Sequence, residues 1–452
     1  MDYEPLPKEI ADLARDELRR LSVPGAAVGV THNGRVYTGG VGITNVDHPL
    51  AVTPETLFQI GSTSKTFSAT AAMMLREEGR LDLEAPVRAY LPAFSLQSEE
   101  DAGRMTVRHL VTHRGGWSGD FFRDTGRGED ALARIVAKMA NSPQIVPAGT
   151  AFSYNNAGFY VLGRIIEVLS GMAFESFVRA RILEPLGMTM SSYFPEDALI
   201  HRVVAGHVVG PEGPRVATPW QVPRSIAPGG GLISNVVDQL RYAQFHLGDG
   251  SAPDGTRLLE RESMAFMQTP QAAAGSMCEA IGVSWMLDMV AGEAVVKHGG
   301  ATLGQLSAFE LVPGRGYGCT VLTNSDSGRG LRPTVADACL RHFTGLRREL
   351  PVEDRSLRPA AELEGTYVAT LATLEVRLAE GWLTVREMRT ADNRPGQVPE
   401  GTPPMPLALI GPDRAAVVEG PRRGEGCEFV RDPGGRVRWL RWDGRLAGRA
   451  GE

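Results

Sequence analysis

Lysine is nearly absent from this chain. Among 47 basic residues in a chain of 452, only Lys8, Lys65, Lys138 and Lys297 are lysine, and all the others are arginine. Arginine carries positive charge as well as lysine does, but it is not deprotonated in a protein and cannot serve as a base. A lysine retained against such a background therefore points to amine chemistry, unless the arginine bias is genomic composition alone. Cysteine is also scarce. Cys278, Cys319, Cys339 and Cys427 form no CxxC or other metal-like spacing. They read as reduced, buried thiols, not as a disulfide framework or a metal centre. The net charge is -6 and no basic block interrupts the interspersed Arg, Asp and Glu. That argues against nucleic acid or an anionic membrane as partner. No uninterrupted apolar run reaches the roughly 18 residues that would span a bilayer. Met1-Asp2-Tyr3-Glu4-Pro5 has neither a basic region nor an apolar core, so the expectation is a cytoplasmic protein without a secretory signal. A Gly-x-Ser-x-Gly elbow is missing, which argues against the α/β-hydrolase route to an esterase. The glycines of Gly39-Gly40-Val41-Gly42 lack a following helix, so they make no phosphate loop.

What is present supports two or three ordinary domains, with 42% hydrophobic residues to build their cores. Ile10, Leu13, Ala14 and Leu18 recur at helical spacing over residues 7–21. The runs Ala26–Val30 and Arg35–Tyr37 flank Asn33-Gly34, a tight hairpin signal. A helix followed by an antiparallel hairpin argues for a mixed sheet, not for a parallel nucleotide-binding one. Lys65 stands in Gly61-Ser62-Thr63-Ser64-Lys65, a Ser-x-x-Lys. The spacing predicts a helix from Ser62 to Glu78, stopped at Gly79. Ser62 and Lys65 then share one face of its first turn, where free N–H groups favour an oxyanion. A neutral Lys65 amine could take the Ser62 proton, given burial or a neighbouring cation to lower its pKa. The purely structural alternative is that Ser62 caps a helix. Phe152-Ser153-Tyr154-Asn155-Asn156 offers a phenol and an amide, and Val295–Ala301 is an apolar strand running into Gly299 and Gly300. Taken alone, the first cluster reads as packing before a helix and the second as a strand end with a turn.

In this order, Ser-x-x-Lys, Tyr-x-Asn and His-x-Gly resemble the elements of the serine β-lactamase and penicillin-binding-protein superfamily. The closest likeness is to the class C β-lactamase-related branch of esterases, D-aminopeptidases, DD-peptidases and transacylases. Leu110-Val111-Thr112-His113-Arg114-Gly115-Gly116 and Pro228-Gly229-Gly230-Gly231-Leu232-Ile233-Ser234 resemble segments of that branch, as does the strand Gly318–Asn324. The resemblance covers roughly residues 7–345. It implies an α/β (α+β) fold in which an antiparallel sheet is flanked by helices and joined by an all-helical subdomain. It further implies Ser62 as the acylated nucleophile, with Lys65 and Tyr154 moving its proton and that of the leaving group. Asn156 would hold the acyl side-chain carbonyl, His298 would replace the usual lysine, and Gly300 would let substrate lie along the strand. The N–H groups of Ser62 and Ala301 would form the oxyanion hole. Were Lys297-His298-Gly299 the true tripeptide, the second donor would be Gly300. The His-x-Gly-Gly-x-x-Gly pattern, closed by Gly304, favours His298-Gly299-Gly300. Losing the lysine weakens the carboxylate anchor for β-lactams, although a protonated His298 could partly substitute, so vigorous β-lactamase activity is not expected.

His109 and His113 stand i,i+4 without the carboxylate of a zinc motif, so no metal and no cofactor are expected. Asp120-Phe121-Phe122 and Trp220 fall in loops that border the cleft in the family. A charged stretch at 346–360 reads as a linker separating a hydrolase domain, 1–345, from a second unit, 361–452. There, short alternating runs such as Leu374–Leu378, Trp382–Val385 and Arg436–Leu440 are split by turn-rich segments. These predict a small antiparallel β-barrel, similar to the lipocalin-like domain of some relatives. It would cap the cleft of its own or a neighbouring subunit, or drive homo-oligomerisation. The expected activity is hydrolysis of small molecules or short peptides and amides, D-residues included, through a Ser62 acyl-enzyme. A carboxylesterase or transacylase would use the same site. A sensor that stays acylated, or a scaffold, is the contrasting class.

Overall fold

The computed structural model of the chain describes residues 3–379, 381–389, 401–420 and 422–451. Its framework is a nine-stranded sheet. The strands are β1 (Glu4–Pro5), β2 (Gly25–His32), β3 (Arg35–Gly42), β4 (Ala272–Ala273), β5 (Ala280–Ile281), β6 (Met286–Val290), β7 (Glu293–Thr302), β8 (Gln305–Val312) and β9 (Tyr317–Thr323). They lie in the order β1-β3-β2-β9-β8-β7-β6-β5-β4. Every pairing is antiparallel except that of β1 with β3. The Asn33-Gly34 turn joins β2 to β3 as the sequence predicts, closing on the His32–Arg35 pair.

Central strands β2 and β9 are buried almost throughout, which their Ala/Val/Leu-rich, non-alternating sequences require. Helix α1 (Lys8–Leu21) covers one face with Ile10, Ala14 and Leu18. It shares a core with Val28, Val30, Val321, Leu331 and Leu340. The other face carries a larger helical mass containing α2 (Ser64–Glu77), α3 (Ala157–Ser170) and α4 (Val236–Leu247). Its core joins Phe67, Phe159, Ile165, Tyr242 and Trp285, with Phe67 stacked on Tyr242 at 3.8 Å. Helix α2 runs through the middle of this mass and is buried from Ser64 to Leu75. Its hydroxyls are therefore satisfied internally: Thr66 Oγ1 donates to Thr63 O and Ser68 Oγ to Pro228 O. No single helix among the described residues is long and apolar enough to cross a membrane.

Helix α5 (Gly328–Thr344) closes the sheet's first face and ends at Gly345, whose φ is 76°. Residues 346–360 carry neither helix nor strand. Eight further strands then form a closed barrel: β10 (Gly365–Val368), β11 (Ala372–Ala379), β12 (Trp382–Arg389), β13 (Met405–Gly411), β14 (Arg414–Val417), β15 (Gly426–Arg431), β16 (Val437–Trp442) and β17 (Arg445–Arg449). Pairing of β10 with β17 closes it. The interior is filled by Tyr367, Leu374, Val376, Leu383, Leu407, Phe429 and Leu440, so it is a packed core, as small barrels are.

The barrel docks on the preceding part of the chain through the β16–β17 hairpin. Asp443 and Gly444 form the turn with φ of 49° and 75°, the backbone that an Asp-Gly pair supplies most easily. Gly444 O accepts the Tyr154 N–H at 2.8 Å. Leu446 N donates to Ser153 Oγ at 3.2 Å, and Arg441 Nε to Phe152 O at 3.2 Å.

Candidate active site

Ser62 does not sit in an α-helix. Gly61–Thr63 is a 3₁₀ turn, and the α-helix begins at Ser64. The tighter entry follows from Gly61, whose φ is 52° and whose absent Cβ would lie 2.5 Å from Ala301 N. Only glycine brings the turn this close to β7. Ser64 Oγ ties the turn down, donating to Gly61 O at 2.6 Å and accepting the Leu232 N–H at 3.0 Å. Ser62 is half-buried between fully buried neighbours, so it is the hydroxyl of this segment that solvent or substrate reaches.

Lys65 Nζ lies 3.0 Å from Ser62 Oγ, 2.7 Å from Asn156 Oδ1 and 2.6 Å from Gly229 O. The side chain has no exposed surface. Burial holds its pKa well below the ordinary lysine value; Arg445 pushes it further down, and Asp120 opposes both. A neutral amine has two N–H donors and one lone pair. The two carbonyl oxygens take the donors, which leaves the lone pair facing Ser62. Burial thus favours the neutral amine of this i,i+3 neighbour.

Tyr154 and Asn156 approach from the start of α3. The Tyr154 hydroxyl hydrogen-bonds Ser62, and burial raises its pKa above the ordinary phenol value. It is a proton donor at neutral pH. The ring is stacked on buried His113, centroids 4.3 Å apart, and His113 Nδ1 accepts the Asn155 N–H at 3.0 Å. Asn156 Nδ2 donates to Asp120 Oδ1 at 2.7 Å. Arg445, from the barrel hairpin, donates to both Asp120 oxygens, at 2.6 and 3.1 Å. Its guanidinium carbon also stands 5.0 Å from the Tyr154 ring centre.

Strand β7 supplies the third wall. Pairing with β6 stops at Lys297, so the edge from His298 to Thr302 has no neighbouring strand on that side. Successive side chains alternate in direction. Lys297 pairs with Asp288, while His298 is buried with its ring 6.3 Å from that of Tyr154. Gly300 faces the same way as His298. A Cβ there would lie 1.9 Å from Ile60 O and 2.8 Å from Ser62 N, so the strand and the Ser62 turn meet through a missing side chain. Ala301 is exposed. This alternation fits His298-Gly299-Gly300 in preference to Lys297-His298-Gly299. Burial, with Lys65 adding to it, lowers the His298 ring pKa to about 3 and favours the neutral ring. Nδ1 is engaged with Gly299 O at 2.7 Å, and Nε2 has no partner among the described residues.

The structure thus brings together Ser62, Lys65, Tyr154, Asn156, His298, Gly300 and Ala301. His109 lies apart from this group, its Nδ1 accepting the Thr106 N–H in a helix cap. Trp220 packs against Leu57, Ala198 and Ile233, and its Nε1 donates to Val204 O at 2.8 Å. Arg445 was missed by the sequence reading. Its only signal is the Asp-Gly hairpin turn before it, and it is one among very many arginines.

Comparison with known proteins agrees with this geometry. Residues 10–340 match the family model described as Beta-lactamase. The chain is 37% identical to "Penicillin-binding protein 4" of Amycolatopsis lactamdurans, over 76% of this chain and 93% of that protein. The crystal structure of SurE with D-Leu superposes with a TM-score of 0.74 at 28% identity, covering 98% of each chain. The octameric penicillin-binding protein homologue from Pyrococcus abyssi gives a TM-score of 0.65 at 26% identity, covering 94% of this chain and 96% of that one. The chain belongs to the Beta-lactamase family of serine hydrolases.

Proposed function

We propose that the chain acylates Ser62 with small peptides or amides whose reacting residue is D-configured, and then releases the acyl group. The observation that carries this reading is the buried Lys65 amine 3.0 Å from the half-exposed Ser62 hydroxyl. Lys65 Nζ takes the Ser62 proton as Oγ bonds to the substrate carbonyl carbon. The oxyanion forms between the N–H groups of Ser62 and Ala301. The C–N bond then breaks, and the amine leaves with a proton donated by Tyr154, which is restored from Lys65. Water repeats the sequence on the acyl-enzyme and returns the proton to Ser62. An amine acceptor in place of water would give acyl transfer. Asn156, held by Lys65 and Asp120, keeps an N–H for the acyl-side carbonyl. The D-preference is supported by the likeness to SurE, a relative whose structure contains D-Leu. Homo-oligomerisation is supported by the octameric relative; within one chain the hairpin contacts Phe152, Ser153, Tyr154 and Asp120.

The test is turnover of D- and L-amino-acid p-nitroanilides and short-chain p-nitrophenyl esters by the native chain and by Ser62→Ala. Mass spectrometry of the quenched enzyme reports the adduct, and an added amine reports transfer. Ser62-dependent turnover with D-anilides preferred supports the reading. A stoichiometric adduct without turnover on any substrate or acceptor would make the protein a sensor. An L-preference would remove the stereochemical part.

A further inference from the structure

Arg332, on the second turn of α5, is a cation without an ion pair among the described residues, next to the proposed oxyanion hole. Its Nη1 donates to Gly300 O at 3.1 Å and also to Ser307 O. Gly300 and Ser307 face each other across β7 and β8, so one guanidinium clamps both strands. Nε is buried and has no partner among the described residues. The carboxylates that act on Arg332 from a distance, Glu425 and Asp443, are within ion-pair distance of Arg422 and Arg329 instead.

Gly300 O and Ala301 N belong to one peptide group. A charged donor on the carbonyl draws electron density through the amide and makes the N–H a stronger donor. The same charge favours negative charge developing nearby. The other half of the hole is anchored through the same pair of strands. Ser307 Oγ donates to Ile60 O at 2.7 Å and is 2.9 Å from Thr63 Oγ1, which fixes the turn carrying Ser62 N.

We infer that Arg332 is a positioning residue of the oxyanion hole, orienting and polarising the Gly300–Ala301 peptide so that its N–H receives the substrate oxyanion. This rests on the Ser62 acyl-enzyme reading. The guanidinium touches no reacting atom. It sets the strength of a backbone donor, and a lysine or a neutral residue at this position would set it lower.

The experiment is single-turnover acetylation by [1-¹³C]-labelled p-nitrophenyl acetate, followed by the infrared carbonyl band of the acetyl-enzyme. The native chain is compared with Arg332→Lys, Arg332→Gln and Arg332→Met. Acetylation is expected to slow about tenfold or more in the neutral variants, a loss of about 1.4 kcal/mol, and less in Arg332→Lys. The carbonyl band is expected to rise toward that of a free ester in the same order, because a weaker hole polarises it less. A merely structural role would lower the melting temperature and leave the band of the folded enzyme in place. Equal rates and an unmoved band in a folded neutral variant would overturn the inference. If the neutral variants do not fold, Arg332→Lys decides alone: its side chain is one bond shorter than the reach to Nη1, so its ammonium stands farther from both carbonyls, and an unmoved band there overturns the inference. A native chain that forms no acetyl-Ser62 would instead sink the acyl-enzyme reading.

Discussion

Arg445 and Asp120 form an ion pair at 2.6 Å although 325 residues separate them, with side chains only 19% and 6% exposed. Burial alone would lower the Arg445 pKa, but Asp120, with Asp443 and Tyr154, outweighs it and holds the guanidinium charged. The barrel therefore places a permanent cation beside Asp120 and Tyr154 in the candidate site. Asp120 passes the contact on to Asn156, and Asn156 to Lys65.

Arg445→Ala should raise the pKa of Lys65, because it removes a cation that lowers it and leaves Asp120, which raises it. The acid limb of kcat/KM, which follows loss of the Lys65 proton, should move to higher pH. A profile of acylation rate against pH reads the shift, and an acid limb at or below its native position would contradict the coupling. The stranded Asp120 carboxylate should also cost about 3 kcal/mol of stability, measurable by urea unfolding.

Lys65→Arg keeps positive charge and loses the base. Acylation should fall on the order of 10²–10⁴-fold, as far as in Lys65→Met. Turnover of Lys65→Arg near the native rate would show that charge, not proton transfer, is what the site needs.

The depressed Lys65 pKa also predicts a pH dependence of stability. Between its folded value and the ordinary 10.5, the unfolded chain binds one proton that the folded chain does not. Stability should therefore rise with pH in this window, by at most about 1.4 kcal/mol per unit. The native chain should gain on Lys65→Met as pH increases from neutral toward 10, read as the difference in unfolding free energy. A difference that stays flat would mean Lys65 is charged in the folded protein.

Gly300→Ala should abolish most acylation while Gly299→Ala should be tolerated. The first would drive a Cβ to 1.9 Å from Ile60 O, a backbone atom that cannot move without shifting the Ser62 turn; the second meets Ser307 O at 3.4 Å. The expected loss for Gly300→Ala is about 10²-fold or more, the scale of an oxyanion donor. Parallel single-turnover assays of the two variants decide it.

Much of this was legible in the sequence because it is local. Ser62 and Lys65 meet through helical spacing, and His298 and Gly300 share a face through strand alternation, so one segment fixes each pair. The barrel announced itself through period-two runs separated by turns. The 3₁₀ start at Gly61 was not legible, since it depends on the close approach of Ala301 from another element. The charge of His298 was not either: protonation is set by burial, and burial belongs to the assembled core. Arg445 is the extreme case. It acts on Lys65 only because β16 and β17 deliver it across the molecule, and no pattern near Ser62 hints at it.

The edge of β7 beyond Lys297 offers backbone donors and acceptors over a short stretch, from His298 to Thr302. A chain laid against it is held by its amides, which every residue carries alike. Such a binding site counts residues more than it identifies them. Affinity should grow as an acyl chain lengthens by its first two or three residues and then level off. Across many different sequences of equal length it should vary little.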